Sequence, residues 1–271
     1  MKRLFFVLII FFAFTSICCE SKTNNFSKNQ QEELFVTNTT PTYSGNVSFL
    51  PTSTKLDVPV YDHKYFTIGY AEKHKQPYYV QWILTREMVR NKVVKRKNDF
   101  RRDNSLTCCY SESSDYNRSG YDRGHMCPSG DMTWSKKANS ETFLMSNMCP
   151  QNQKLNRGKW NDLERLTRSW AERYDSLLII CGPIFTNATQ TIGRNKITVP
   201  TSFYKIIARI DNGNIRSAVA YIMPNLECKQ HINTYTTSID NIEKLTFLDF
   251  FHTKTKDARI EEMERTISKH L

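Results

Sequence analysis

The sequence of 271 residues predicts an α+β fold, with a mostly antiparallel central sheet flanked by helices. Four segments, 78–85, 176–185, 202–210 and 216–224, are rich in β-branched and aromatic residues and are bounded by turn-forming residues, as strands are. Short loops rather than regular helices separate most of these segments, which favours antiparallel pairing over a doubly wound sheet. With 39% hydrophobic and 24% charged residues, the chain can also bury a substantial core.

Two amphipathic helices complete this prediction. The first covers residues 157–174, where large apolar residues recur every three or four positions and so share one face. Those residues are Trp160, Leu163, Leu166, Trp170 and Tyr174. The second lies in residues 257–270, where Ile260, Met263 and Ile267 follow the same spacing. We expect the second helix to be peripheral.

Residues 1–19 have the layout of a secretory signal peptide. Lys2 and Arg3 precede an unbroken apolar run that ends in small residues. A membrane-spanning helix needs about 20 apolar residues, so this shorter run predicts export followed by cleavage. Cys18 and Cys19 also stand where a bacterial lipoprotein carries its lipid-acceptor cysteine, so lipidation and plain secretion both fit. The predicted location is secreted, periplasmic or lipid-anchored at the bacterial cell envelope.

Residues 20–55 form a predicted polar tether, because they are rich in Ser, Thr, Asn, Lys and Gln and show little apolar periodicity. Residues 56–271 form the predicted domain. The formal net charge of the whole chain is +11, which favours an anionic partner such as nucleic acid, an acidic polymer or a membrane surface. Charge alone does not select among these partners.

The stretch YDRGHMCPSGDM, at residues 121–132, holds more polar chemistry than a packed core normally contains. His125 lies within it, and an ordinary histidine pKa of about 6.5 suits a base at neutral pH. Arg123 is placed to face a phosphate, while Asp122 could orient a neighbour or pair with an arginine. This stretch is therefore the first candidate for a catalytic site.

Asn156 and Glu164 supply oxygen ligands of the kind that a hydrated Mg²⁺ ion needs, since this ion keeps several waters and often takes only one or two protein groups. If the predicted helix starts at Asn156, Glu164 lies roughly 12 Å along the axis and about 80° around it. Both cannot clamp one ion at that separation. We expect Asn156 to touch the metal and Glu164 to act through the water around it, with His125 activating water for attack on a phosphodiester.

The residues DRGH at 122–125 resemble the signature of the DNA/RNA non-specific endonucleases, the ββα-metal nucleases of the endonuclease G type. The match continues in the same order with SN at 146–147, LNRG at 155–158 and LE at 163–164. Weaker blocks extend the likeness over about 61–251. A single DRGH would be a weak signal, but four linked blocks in register are specific.

The resemblance implies a role for each matching residue. His125 would be the general base and Asn156 the direct metal ligand. Glu164 would hold water around the ion, and Asn147 would shape the site. The resemblance also implies a ββα-metal nuclease fold, in which a β-hairpin and the helix after it form the site.

Substrate contacts would come from Arg123 and from an arginine upstream of the signature, for which Arg96 is the best match. The resemblance implies hydrolysis of both DNA and RNA, leaving 5′-phosphates, with Mg²⁺ or another divalent cation such as Mn²⁺. No base-reading module is recognisable in the sequence, so phosphate contacts should dominate and sequence selectivity should be low. The alternative is a secreted basic nucleic-acid-binding protein without catalysis.

Six cysteines fall in the predicted domain, and an even number in an exported protein favours disulfides. They are Cys108, Cys109, Cys127, Cys149, Cys181 and Cys228. Cys127 and Cys149 each lie two residues after a proposed site residue, so a bridge between them could brace the site. A zinc site with His125, Cys127 and Cys149 competes with this interpretation, although no pair has the spacing of a zinc knuckle.

Overall fold

The computed structural model of the protein describes residues 49–252 and 257–271. The predicted signal peptide, with Cys18 and Cys19, and most of the predicted tether lie outside these residues. No helix among the described residues combines the length and the apolar character that crossing a bilayer requires.

The described residues form an α+β fold. In chain order the strands are β1 (Val60–Asp62), β2 (Thr67–Ala71), β3 (Gln76–Thr85), β4 (Tyr121–His125), β5 (Met148–Asn152), β6 (Ser176–Ile184), β7 (Thr191–Ile192), β8 (Ile197–Thr198), β9 (Ser202–Asp211), β10 (Asn214–Pro224) and β11 (Thr236–Thr237). The helices are α1 (Arg86–Arg90), α2 (Lys136–Glu141), α3 (Gln153–Leu155), α4 (Asn161–Tyr174), α5 (Ile239–Thr246) and α6 (Ala258–Arg265).

Seven strands make one sheet in the order β1-β2-β3-β6-β9-β10-β11, and every neighbouring pair is antiparallel. Strands β4 and β5 form a separate hairpin-like pair, as do β7 and β8. The four predicted strands correspond to β3, β6, β9 and β10, so the predicted antiparallel sheet is confirmed.

The predicted helix over 157–174 begins later than its apolar pattern indicates. Residues Asn156–Trp160 form a π-helical turn, and inside it Gly158 leaves helical geometry with φ −105° and ψ −110°. Regular α-helix starts only at Asn161. The pattern includes Trp160 because this side chain is buried on the same side as the helix, although its backbone belongs to the turn.

The C-terminal part contains one helix that the sequence did not predict. Helix α5 is only eight residues long, and it is capped by Ser238, whose Oγ accepts a hydrogen bond from the Asn241 backbone at 3.2 Å. The second predicted helix is confirmed as α6 but ends at Arg265, which leaves Ile267 outside it and 58% exposed.

Alternation along strand β9 divides the core into two faces. Tyr204, Ile206 and Ala208 join a buried cluster that also contains residues of α5. Phe203 and Lys205 point to the other face, where both lie against the ring of Trp160. One face of the sheet therefore carries the C-terminal helices, and the other carries the segment with the predicted signature.

The domain's contacts extend upstream of residue 56. The backbone of Thr52 pairs with that of Asp249 through two hydrogen bonds of 3.0 and 2.8 Å. Ser53 adds a side-chain hydrogen bond from Oγ to the carbonyl of Phe247. The end of the predicted tether thus packs beside the C-terminus of α5.

Candidate active site

The predicted signature forms strand β4, which pairs with β5 so that Gly124 lies opposite Cys149 and His125 opposite Met148. A Cβ added at Gly124 would lie 2.6 Å from the Cβ of Gln151, a fully buried residue of β5. Only glycine fits under that side chain, which explains its place in the signature. Helix α3, the π turn and α4 follow β5 directly, so the segment has a strand–strand–helix arrangement.

His125 is buried at the end of β4, with 7% of its surface exposed. Its ring packs against those of Phe100 and Phe143, at centroid distances of 5.6 and 4.9 Å. Burial, helped by the positive charge of Arg96, lowers the pKa of His125 to about 3, although a hydrogen bond with the Arg123 backbone opposes this. Nε2 is buried and makes no hydrogen bond within the described residues. At neutral pH the ring is therefore uncharged, with Nε2 unpaired.

Asp122 organises the residues after β5. Its carboxylate accepts a hydrogen bond from Nδ2 of Asn156 at 2.9 Å and two from the guanidinium of Arg157, at 2.9 and 2.7 Å. The bidentate contact with Arg157 and the hydrogen bond with Asn156 fix the orientation of both side chains. The carbonyl oxygen Oδ1 of the Asn156 amide makes no hydrogen bond with the described residues. Asp122 thus pairs with an arginine, as the sequence allowed, and that arginine is Arg157.

The π turn at Asn156–Trp160 provides this geometry. π-helical turns are rare and often occur at functional sites, because the extra residue changes the direction of the neighbouring side chains. Trp160 closes the turn and is fully buried, with its ring 5.7 Å from that of Phe203. The buried indole holds the turn against the sheet, while Asn156 at the other end remains half-exposed.

Glu164 lies in the first turn of α4, among charged groups of both signs. Burial raises the pKa of Glu164, and the negative charge of Asp131 adds to this effect. Three cations oppose it, with Lys205 having the largest effect, followed by Arg168 and Arg96. The carboxylate is therefore set in a mainly cationic environment.

Lys205 is a site-face residue that the sequence prediction did not assign a role. It is only 1% exposed, and its Nζ lies over the rings of Trp160 and Trp82 at 4.7 and 5.7 Å. A signal was present in the sequence, since lysine interrupts the otherwise apolar start of strand β9. A buried lysine in such a strand indicates a local anion.

Arg96 has an electrostatic effect on both His125 of β4 and Glu164 of α4. Its side chain is exposed, and its guanidinium lies 5.3 Å from the centre of the Phe143 ring. Its positive charge lowers the pKa of both His125 and Glu164. No hydrogen bond joins His125 to Glu164 within the described residues.

Arg123 shares a face of β4 with His125, because the two residues alternate by two positions. Its Nη2 donates to the carbonyl of Ser113 at 2.6 Å and to Oδ1 of Asn117 at 3.0 Å. The guanidinium also lies 5.2 Å from the ring centre of Phe100, which contacts His125 on another side. Arg123 is thus held beside the histidine by a neighbouring loop.

Asn147 closes the end of the hairpin and is fully buried. Its Oδ1 accepts from the backbone N–H of Cys127, and its Nδ2 donates to the carbonyl oxygens of Cys127 and Thr142, at distances of 2.8 to 2.9 Å. The carbonyl of Asn147 accepts from the N–H of Met126. These contacts fix the backbone that follows His125.

The predicted bridge between Cys127 and Cys149 is corrected by the structure, in which both cysteines are buried free thiols. The register explains why, since Cys149 lies opposite Gly124 and Cys127 falls beyond the paired part of β4. The competing zinc site is not formed either, because no group of three His, Cys, Asp or Glu ligands among the described residues includes His125, Cys127 and Cys149. The hydrogen bonds of the Asn147 amide, rather than a disulfide, hold this part of the backbone in place.

Comparison with known proteins identifies the same region. Residues 44–257 match the sequence model of the family described as DNA/RNA non-specific endonuclease. Human mitochondrial endonuclease G is 31% identical over 198 residues, which cover 68% of this chain and 67% of that protein. The mitochondrial nuclease EXOG of Danio rerio is 31% identical over 199 residues, and the aligned region spans 68% of this chain and 58% of EXOG.

Solved structures show the same likeness in three dimensions. A chain of the crystal structure of the EndoG/EndoGI complex superposes with a TM-score of 0.66 at 33% sequence identity. The match covers 71% of this chain and 85% of that chain. The family match over residues 44–257 contains every strand of the sheet and the strand–strand–helix segment.

Proposed function

This chain belongs to the DNA/RNA non-specific endonuclease family, and from that premise we propose that it hydrolyses phosphodiester bonds of DNA and RNA with His125 as the general base. One observation carries the proposal. His125 is buried and uncharged at neutral pH, and its Nε2 has no hydrogen-bond partner among the described residues. Such a nitrogen can accept a proton, and the negative charge of a bound phosphate would raise the pKa of His125 towards the range that a base needs.

The reaction begins with substrate binding by arginine. Arg96, whose charge acts on His125, and Arg123, whose guanidinium lies over the neighbouring Phe100 ring, would both bind a phosphate. Nε2 of His125 then takes a proton from water as that water attacks phosphorus, and the 3′-oxygen of the preceding nucleotide leaves. The product keeps a 5′-phosphate. Contacts of this kind read the backbone rather than the bases, which fits low sequence selectivity.

The residues present also fit a divalent cation. Oδ1 of Asn156 is a hard oxygen donor that makes no hydrogen bond within the described residues, and Asp122 holds its amide in one orientation. Glu164 adds a carboxylate one turn into the following helix. We propose that Asn156 binds Mg²⁺ or Mn²⁺ directly and that Glu164 contributes through water. When bound, the cation supplies stabilisation of negative charge on the phosphate and on the leaving oxygen.

The test is a cleavage assay with plasmid DNA and with RNA. We expect the full-length protein to cleave both in Mg²⁺ and to stop when EDTA is added. Substitution His125→Ala should lower the rate about 10²- to 10⁴-fold, the usual contribution of a general base. His252→Ala is the matched control, because His252 is an exposed histidine hydrogen-bonded to Asp249.

Two outcomes contradict the proposal. One is a wild-type protein that binds nucleic acid but shows no cleavage dependent on a divalent cation, which supports the alternative of a binding protein. The other is a His125→Ala protein that cleaves as fast as the wild type. End-labelling of the products checks for 5′-phosphates.

We also propose that the protein is exported, on the strength of the charged, apolar and small-residue regions in residues 1–19. Intact-mass analysis of protein from the native host distinguishes the two forms of export. A chain cleaved without added mass supports secretion, whereas a diacylglycerol-sized addition at Cys18 or Cys19 supports lipid anchoring. An uncleaved, unmodified N-terminus contradicts both.

A further inference from the structure

Glu72, Cys108 and Cys109 form a cluster away from the residues of the candidate active site. One carboxylate oxygen and the two sulfur atoms all lie within 4.8 Å of one another. Within residues 49–252 and 257–271, this is the one group of three or more His, Cys, Asp or Glu residues with such spacing. Glu72 and Cys108 are exposed and Cys109 is half-exposed, so the cluster is open to solvent.

The backbone brings the two sulfurs together. Neighbouring side chains in an extended chain point in opposite directions. Cys109 departs from that geometry with a φ of +56°, a left-handed conformation that is unfavourable for a residue other than glycine. Tyr70 holds this conformation, because its hydroxyl donates to the carbonyl of Cys109 at 3.1 Å. The fully buried Tyr70 thus anchors the pair to strand β2.

The third group is placed by the end of the same strand. Strand β2 stops at Ala71, and Glu72 begins a tight turn closed by a hydrogen bond of 2.8 Å from the N–H of Lys75 to the carbonyl of Ala71. The carboxylate Oε1 of Glu72 lies 3.9 Å from Sγ of Cys108. A strand and a separate loop therefore meet at the three potential ligands.

We propose that Glu72, Cys108 and Cys109 bind a soft divalent cation of the Zn²⁺ type. Two thiolates and one carboxylate are ligands that zinc uses, and three protein ligands leave a fourth tetrahedral position for water. The chemistry differs from that of the candidate active site, where the donors are amide and carboxylate oxygens. The cysteine pair thus gives this chain a second metal site that prefers a different ion.

The experiment measures Zn²⁺ uptake by the full-length protein after reduction with a phosphine, in competition with a chromogenic chelator. Co²⁺ is used in parallel, because thiolate ligands give it an intense charge-transfer absorption. We expect one ion per chain with that absorption. The double substitution Cys108→Ser with Cys109→Ser should abolish uptake, and Glu72→Gln should weaken it at least tenfold.

Two control variants locate the ion. Cys228→Ser removes another solvent-accessible cysteine, and Asn156→Ala removes the proposed ligand for Mg²⁺, so neither should change Zn²⁺ uptake. Cleavage in Mg²⁺ should be unchanged in the double serine variant, which also shows that this variant folds. Uptake that survives the double substitution overturns the proposal. So does the absence of uptake by the reduced wild type, including the case in which Cys108 and Cys109 are found joined as a disulfide in the isolated protein.

Discussion

Glu164 and Glu264 are partly buried glutamates on opposite faces of the sheet, and burial raises the pKa of both. Around Glu164, three cations counteract that effect, the strongest being Lys205. Around Glu264 the neighbours are acids, and they raise its pKa further, to about 8. These acids are Glu243, Asp240, Asp249 and Glu261. Burial raises the pKa of both glutamates, and the sign of the neighbouring charges decides how far each pKa rises.

The two glutamates suit different protonation states, because they lie on faces of the sheet with different contacts. On the site face, a carboxylate that is to hold water around a cation must be ionised at neutral pH, and buried or half-buried cations favour that form. On the other face, Glu264 lies on α6 against α5, and its Oε1 is buried without a hydrogen bond among the described residues. Its uncharged form fits that contact better than its charged form.

After His125→Ala, the largest expected effect comes from removing Asp122, whose carboxylate accepts hydrogen bonds from both Asn156 and Arg157. Asp122→Ala releases Asn156 and Arg157 together, and misplacement of about 1 Å in an active site can lower the rate about 100-fold. We expect a loss of that size in cleavage of plasmid DNA, with little change in thermal unfolding. Asp162→Ala is the control, since Asp162 is a partly exposed acid of α4 paired with Arg165 and Lys159. Equal activity in the two variants would remove Asp122 from the site.

The next largest effect is expected from removing the strongest cation around Glu164, which makes its surroundings more like those of Glu264. Lys205→Met removes the cation that lowers the pKa of Glu164 most, so this pKa should rise. Glu164 is then ionised only at higher pH, and the acid limb of the pH–rate profile should move upwards. A shift of one pH unit corresponds to about a tenfold loss of rate at the lower pH. The profile is compared with that of Lys137→Met, which alters an exposed lysine; an unmoved acid limb contradicts the prediction.

A smaller effect is expected on the other face. Because the pKa of Glu264 is raised from 4.5 to about 8 on folding, its stabilising contribution is fully present below pH 4.5 and is lost as the pH rises through 8. Glu264→Gln should remove this dependence, which we expect to be about 1 kcal/mol after allowance for partial exposure. Thermal unfolding at pH 5 and pH 8.5 measures it, with the exposed Glu262→Gln as control. A wild type as stable at pH 8.5 as at pH 5 contradicts this assignment.

The smallest expected effect concerns Cys127 and Cys149. Both are free in the structure, so a reducing agent should leave the melting temperature and the Mg²⁺-dependent activity unchanged. A native disulfide would instead contribute about 2–5 kcal/mol. Peptide mapping without reduction provides the direct measurement, and a Cys127–Cys149 crosslinked peptide would show that the site face is braced covalently after all.

The sequence predicted the sheet and helices α4 and α6 because their apolar residues repeat regularly. It did not predict α5. It did not predict the π turn either, since Gly158 interrupts helical geometry before Asn161 without disturbing the apolar pattern around Trp160. The motif residues were predictable because they lie close together in sequence. Their partners were not, because contacts such as Asp122 with Arg157 depend on the strand register.

Lys205 and Asn147 also have contacts that could not be predicted from their positions in the sequence. Lys205 is distant in sequence from the motif, and only folding brings it to the face that carries Glu164. Asn147 was predicted to shape the site, but its means of doing so depends on hydrogen bonds to the backbone of Cys127. Spacing in the sequence indicates which residues matter, whereas burial and register determine what each one contacts.

The strand–strand–helix segment occupies one continuous stretch of chain, from Tyr121 in β4 to Tyr174 in α4. The pairing of β4 with β5 joins residues 23 to 31 positions apart, whereas the pairing of β3 with β6 joins residues about a hundred positions apart. Short closures lose less chain entropy and form faster than long ones. The β4–β5 pair that carries His125 is consequently expected to acquire protection from hydrogen exchange before the β3–β6 pair during refolding.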